Sequence, residues 1–220
     1  MVFVLLGLVF YVVLGGADFG AAMWQFAVGR GERGERIREH AHEAVGPVWE
    51  ANHVWLIFVL TVTWTAYPAA LGSLASTLSV ALFVAGLGII VRGAAYALRS
   101  GTTDPREIGR IDAASALSSV LTPFALGAAL GGIASGRVPF GNAKGDLITS
   151  WLNPTSIFIG ALAVAFCAYL AAVYLAADAV RRGEPDVAAP SANGVRTEEI
   201  ADAASMRPTS RGSVVPLRSA

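Results

Sequence analysis

A carboxylate, an amide and an imidazole crowd one helical turn at the edge of a long apolar run: Glu50, Asn52 and His53, within Gly46-Pro47-Val48-Trp49-Glu50-Ala51-Asn52-His53-Val54-Trp55-Leu56. An ionisable group near hydrocarbon is costly, roughly 2.5–3.5 kcal/mol on insertion scales at a helix centre. Such groups therefore face polar cavities or partners and often serve proton or ion movement. Glu50 and His53 are three apart and share a helical face, so the chemistry on offer is proton transfer. A second candidate set is Asp18, in Gly15-Gly16-Ala17-Asp18-Phe19-Gly20, and Arg92, each inside an apolar segment. Counting about 1.5 Å per residue from the segment ends puts both at similar depth. A charge-assisted hydrogen bond would relieve the desolvation of each. A structural ion pair and a role in proton or quinol traffic are both open readings of that pair.

Other chemistries are poorly supplied. His40 and His42, two apart, point to different sides of a helix, and no Cys joins them, so no metal site is expected. Haem ligation by His53 would need a facing His or Met at equal depth, and the apolar segments offer only Met23. Cys167 is the single cysteine. It lies in an apolar run as a small hydrophobe and can form no internal disulfide, zinc knuckle or haem attachment. The net charge of zero gives no global argument for nucleic acid or an acidic substrate.

The elements that must position these residues are membrane helices. Hydrophobic residues make up 55% of the chain and charged ones 15%, with a mean hydropathy of +0.58, a balance foreign to a soluble domain. About 20 apolar helical residues cross a bilayer core of about 30 Å. Such segments run from Val2 to Val28, Val48 to Ala70, Ser76 to Leu98, Ala116 to Ser135 and Pro154 to Ala177. The first has no basic flank before it and runs straight into the Asp18 motif, so it is predicted to remain as a span and not to be removed as a signal peptide. Gly46-Pro47 reads as the entry of the second span, with Glu50 at its mouth. Arg30 to Glu43 interleaves Arg and Glu at helical spacing and is expected to form a short solvated or interfacial helix. Gly16 and Gly20, one turn apart, suit close helix packing or a backbone approach to a cofactor. Pro68 and Pro123 are expected as breaks or kinks, the latter satisfied by Ser118, Ser119 and Thr122.

Basic residues set the expected orientation. Arg30, Arg33, Arg36 and Arg38 follow the first span; Arg99, Arg106 and Arg110 follow the third; Arg181 and Arg182 follow the fifth. The positive-inside rule places these loops in the cytoplasm and the N-terminus outside.

The strings around Asp18, Glu50 and Arg92, with Trp151-Leu152-Asn153-Pro154 and Ala168-Tyr169-Leu170-Ala171-Ala172-Val173-Tyr174-Leu175, resemble subunit II of the cytochrome bd family of quinol oxidases. The resemblance covers roughly Met1 to Arg182. It implies a non-haem subunit of an inner (plasma) membrane complex that oxidises quinol, reduces oxygen and takes protons from the cytoplasm. The b- and d-type haems would belong to a haem-bearing subunit I, and none to this chain alone. Membrane lipid is the other expected partner; nucleic acid is not one, and a small accessory subunit is left open. Glu50 stands where the family carries a carboxylate assigned to a proton path, often Asp there, so one methylene differs. Asp18 and Arg92 match polar positions of the family fold.

The expected architecture is thus an all-α polytopic transmembrane bundle of about five spans over residues 1–182, with a disordered tail over residues 183–220 rich in Gly, Pro, Ser and charge. Family members carry a second helical repeat, so the tail suggests natural shortening or a reading-frame change near Asp186. A proton-coupled transporter, using Asp18, Arg92 and Glu50 as coupling residues, and a nonfunctional truncated remnant are the alternative functional readings.

Overall fold

The computed structural model describes residues 1–28 and 31–183. Arg30, and the tail expected beyond Gly183, lie outside the described residues. What is described is all helical: α1 (Val2–Ala27), α2 (Glu32–Ala66), α3 (Pro68–Thr77), α4 (Ser79–Arg99), α5 (Pro105–Ala134) and α6 (Pro154–Arg182). All but α3 are long and apolar enough to cross a membrane, and the chain is an integral membrane protein. The short α3 lies on the side where α1 begins. The opposite side, where α1, α4 and α6 end, carries the arginine-bearing turns and is the Arg-rich side.

The second span departs from its expected start. Helix α2 begins at Glu32, passes through Pro47 and continues to Ala66, so Glu50 lies mid-helix and opens nothing. Gly46-Pro47 looks like a helix start because proline suits the first turn. Here the Arg/Glu segment before it already has helical periodicity, and Pro47 forfeits one backbone bond within an established helix. At its other end the helix stops at Tyr67, and Pro68 starts α3 at the first helical position, so of the two expectations it is the break and not the kink. Polar flanks likewise lengthen the later spans. Pro105 and the Asp104 cap, which accepts from Arg106 N–H, begin α5 well before its apolar part. The Asn153 side chain accepts from Ser156 N–H to open α6, and Gly183, at φ 80°, closes it in the left-handed conformation that glycine tolerates best.

Pro123 is held within α5. The Thr122 hydroxyl donates to the Ser118 carbonyl at 2.8 Å and the Ser118 hydroxyl to Ser115 at 2.9 Å. These hydroxyls therefore bond carbonyls other than that of Ser119, the one proline leaves without its helical donor.

Small residues form the core. Ala21, Ala22, Ala81, Ala125, Ala128, Ala171, Ala176 and Ala179 are all nearly inaccessible, as suits helices that associate through close van der Waals contact and not by expelling water. Large apolar side chains such as Phe3, Ile57, Leu60, Ile90, Phe158 and Leu162 point outward instead. Helix α1 packs on α2, α5 and α6; α5 also packs on α4 and α6. Trp49 of α2 stacks on Tyr96 of α4 with centroids 5.2 Å apart, which closes a ring of α1, α2, α4 and α5. Helix α6 lies outside that ring against α1 and α5.

Both ends are tied. The Ser73 and Ser76 hydroxyls accept from Gly141 and Ala143 N–H, each at 2.9 Å, fastening the turn before α6 onto α3. In that turn the Asp146 carboxylate accepts from Ile148 and Thr149 N–H, which holds it below the usual carboxylate range. On the Arg-rich side the first turns of α2 lean on α6. Arg182 bonds Glu43 at 3.0 Å and Asp178 at 2.8 Å, His40 stands 3.7 Å from Asp178, and the Tyr174 hydroxyl donates to Ala44 carbonyl at 3.0 Å.

Candidate functional site

Inside the ring, Asp18 of α1 and Arg92 of α4 are 1% and 7% exposed. Arg92 Nη2 lies 2.5 Å from Asp18 Oδ1 and 2.7 Å from the Asp18 carbonyl oxygen, while Nε donates to the same Oδ1 at 3.1 Å. Its Nη1 donates to Ser115 Oγ of α5 at 2.9 Å, so one guanidinium joins three helices. Its carbon Cζ sits 5.9 Å from the centre of the Phe19 ring. Charge and donor capacity are thus largely matched within a low-dielectric interior, the condition under which such a pair survives burial. The second carboxylate oxygen, Asp18 Oδ2, is buried without a hydrogen-bond partner.

The glycines flanking Asp18 let α6 approach α1. A Cβ on Gly16 would stand 2.6 Å from Leu170 Cδ1, and one on Gly20 would overlap the Cys167 carbonyl.

The ring opens at its Arg-rich mouth into a small cavity of about 20 Å³, lined from all four helices: Gln25 of α1, His42 of α2, Arg92 and Arg99 of α4, Asp112 and Ser115 of α5. Arg99 and Asp112 are ion-paired at its rim. The His42 ring lies against Tyr96, centroids 4.9 Å apart.

The structure separates Asn52 from Glu50 and His53. Positions two apart on a helix differ by about 200°. Glu50 is exposed on the outside of α2, whereas Asn52 is 1% exposed and faces Gly15 of α1, where a Cβ would lie 3.0 Å from its Oδ1. His53 is half-buried. Its Nδ1 stands 2.8 Å from the Trp49 carbonyl, which makes that nitrogen the donor. No hydrogen bond or ion pair links Glu50 to another group among the described residues. The sequence reading missed Asp112, Ser115 and His42 as lining of the mouth, and Tyr11 of α1, which is buried with its hydroxyl unpartnered. Ser115 and Ser119, one turn apart on α5, were the available signal.

The histidines do not suit a haem. All three lie on α2, and two axial donors must face each other across a gap between helices. Their ring contacts are with Asp178, Tyr96 and Trp49. No cluster of three metal-binding side chains occurs among the described residues.

Comparison with known proteins gives the family. A family model described as cytochrome bd terminal oxidase subunit II matches residues 1–192. The cytochrome bd ubiquinol oxidase subunit 2 of Bacillus subtilis is 27% identical over 127 residues, covering 57% of this chain and 37% of that protein. The cytochrome bd-I ubiquinol oxidase subunit 2 of Escherichia coli K12 is 26% identical over 175 residues, covering 76% of this chain and 45% of that protein. The chain spans less than half the length of these two relatives.

Proposed function

Since the chain belongs to the cytochrome bd terminal oxidase subunit II family, we propose that it is the non-haem membrane subunit of a quinol:oxygen oxidoreductase that takes up protons at Glu50. Residues 1–182 act as one membrane domain against a haem-bearing subunit I, with the b- and d-type haems held there and quinol as substrate of the whole complex. The haems supply the electron transfer to oxygen. The donor set of this chain does not fit them, and its own contribution is scaffold and proton access.

The observation that carries the reading is the setting of Glu50. Sixteen residues separate it from Ala66 at the far end of α2, about 24 Å of helix, against a hydrocarbon core of about 30 Å. A carboxylate that deep, facing outward with no partner among the described residues, calls for a polar surface on a neighbouring subunit. His53 and Asn52 flank it on the same helix. His53 shares its side and serves the proton path most directly; Asn52 faces the interior and positions α2 on α1.

Glu50→Gln keeps size and hydrogen bonding but cannot titrate. In the assembled complex, quinol-driven oxygen consumption is expected to fall at least about tenfold with haem content unchanged, and Glu50→Asp is expected to retain most of the activity. Normal turnover of Glu50→Gln across pH would reduce the carboxylate to a surface charge.

The proposed orientation in the inner (plasma) membrane puts the Arg-rich side in the cytoplasm and the N-terminus outside. Reporter fusions at Gly34, Gly101 and Gly183 should report cytoplasm, and those at Gly72 and Gly141 the exterior. An exterior signal at Gly34 would invert the orientation and move Glu50 to the other face.

A further inference from the structure

Among the buried polar atoms of the ring helices that have no hydrogen-bond partner are Asp18 Oδ2, Asn52 Oδ1, Ser119 Oγ and Tyr11 Oη. They are not scattered. Arg92 bonds both Asp18 and Ser115, which fixes α1 and α5 at a common level. From that level toward the side where α1 begins, Gly15, the contact of Asn52, is three residues away, Ser119 four and Tyr11 seven. At the helical rise these are about 4.5, 6 and 10.5 Å. Tyr11, Gly15 and Asp18 occupy positions i, i+4 and i+7, one face of α1; Ser115 and Ser119 are i and i+4 on α5. Below the same level lies the mouth cavity, whose lining includes Arg92 and Ser115 themselves. Its volume of about 20 Å³ exceeds the roughly 10–15 Å³ that a cavity needs, on the same measure, to hold one water, and its lining supplies more than the two to four polar partners that a buried water needs.

We propose that water fills the interior of the α1–α2–α4–α5 ring as a column, entering at the His42–Asp112 mouth, passing the Asp18–Arg92 pair and ending at Tyr11 near mid-membrane. Each orphaned oxygen then gains a partner, as buried polar groups do. Hydrogen-bonded oxygens stand about 2.8 Å apart, so about three or four waters span the rise from Asp18 to Tyr11. The column is distinct from Glu50, which faces the outside of α2. It gives Asp18 its own exchange with the Arg-rich side. Use of that exchange in proton uptake rests on the reading of the preceding subsection; the hydration does not.

The test reads water directly. The chain, in native membranes with its accompanying subunits, is exposed to a short radiolytic pulse in ¹⁸O-water, and oxygen incorporation is mapped by mass spectrometry. Tyr11 is expected to take up label at least about tenfold above Phe166, which is exposed on the outer surface of α6. Labelling of Tyr11 no higher than Phe166 would overturn the column without reference to any variant. Asn52→Leu, of similar shape and apolar, should suppress label at Tyr11 while Tyr96 at the mouth keeps it. Equal labelling of Tyr11 in that variant would overturn the continuity of the column past Asn52. A Glu50→Gln complex that turns over normally yet labels at Tyr11 would sink the Glu50 reading and leave the column standing.

Discussion

Asp18→Leu is expected to lower the unfolding free energy by about 3–5 kcal/mol, because it leaves the Arg92 guanidinium buried with a single side-chain partner, Ser115. The cost is that of the stranded charge more than of the lost contact. Asp18→Leu combined with Arg92→Met removes both charges and fills the space with apolar groups of similar length. Such replacements of buried pairs are often neutral, so the double variant is expected to recover most of the loss. Denaturation in mixed micelles, followed by tryptophan fluorescence, measures all three proteins. If the double variant were as unstable as Asp18→Leu, uncompensated charge would not be the cause, and the pair would matter through shape or through the groups around it.

The second large effect concerns Gly20. Alanine is favoured over glycine in a helix by about 1 kcal/mol, so Gly→Ala in a span stabilises unless the new methyl group meets something. At Gly86 of α4 nothing lies within 4 Å of a Cβ; at Gly20 the obstacle is the Cys167 carbonyl, backbone of α6, which cannot rotate aside. Inserting a methyl group into a filled interior costs about 1–3 kcal/mol and at times more. Gly20→Ala is therefore expected to lose about 2 kcal/mol net while Gly86→Ala gains slightly, by the same micellar denaturation. Equal changes at the two sites would show that α6 yields freely and that the close approach has little energetic weight.

Depth was legible in the sequence because the helical rise is constant: counting along α1 and α4 is enough to bring Asp18 and Arg92 to one level. Direction was not. Around Glu50 the second span is apolar on nearly every side, so nothing in its pattern says which side meets α1, and residues two apart went to opposite surroundings. Helix continuity was hidden for a related reason. An apolar window ends where charges begin, but backbone hydrogen bonding does not, so the Arg/Glu stretch up to Glu43 and the span from Val48 read as two elements and belong to one helix. The interior polar set escaped because hydroxyls on α5 are individually unremarkable for a membrane helix. Only the bond from Arg92 to Ser115 gives Ser119 and Tyr11 a shared axis.

The alanine-dominated interior has a consequence at the level of the gene. Of the residues that a single base change can make from an alanine codon, only glycine is smaller; serine is close in size, and valine, threonine, proline, aspartate and glutamate are larger. Replication errors at Ala21, Ala81, Ala128, Ala171, Ala176 or Ala179, each at 0% exposure, therefore almost always add bulk where helices touch, and several add charge as well. Soluble domains, whose interiors are rich in leucine and isoleucine, meet the opposite hazard and are mostly hollowed out by mutation. In a lineage under relaxed selection, this subunit would decay by helices being wedged apart.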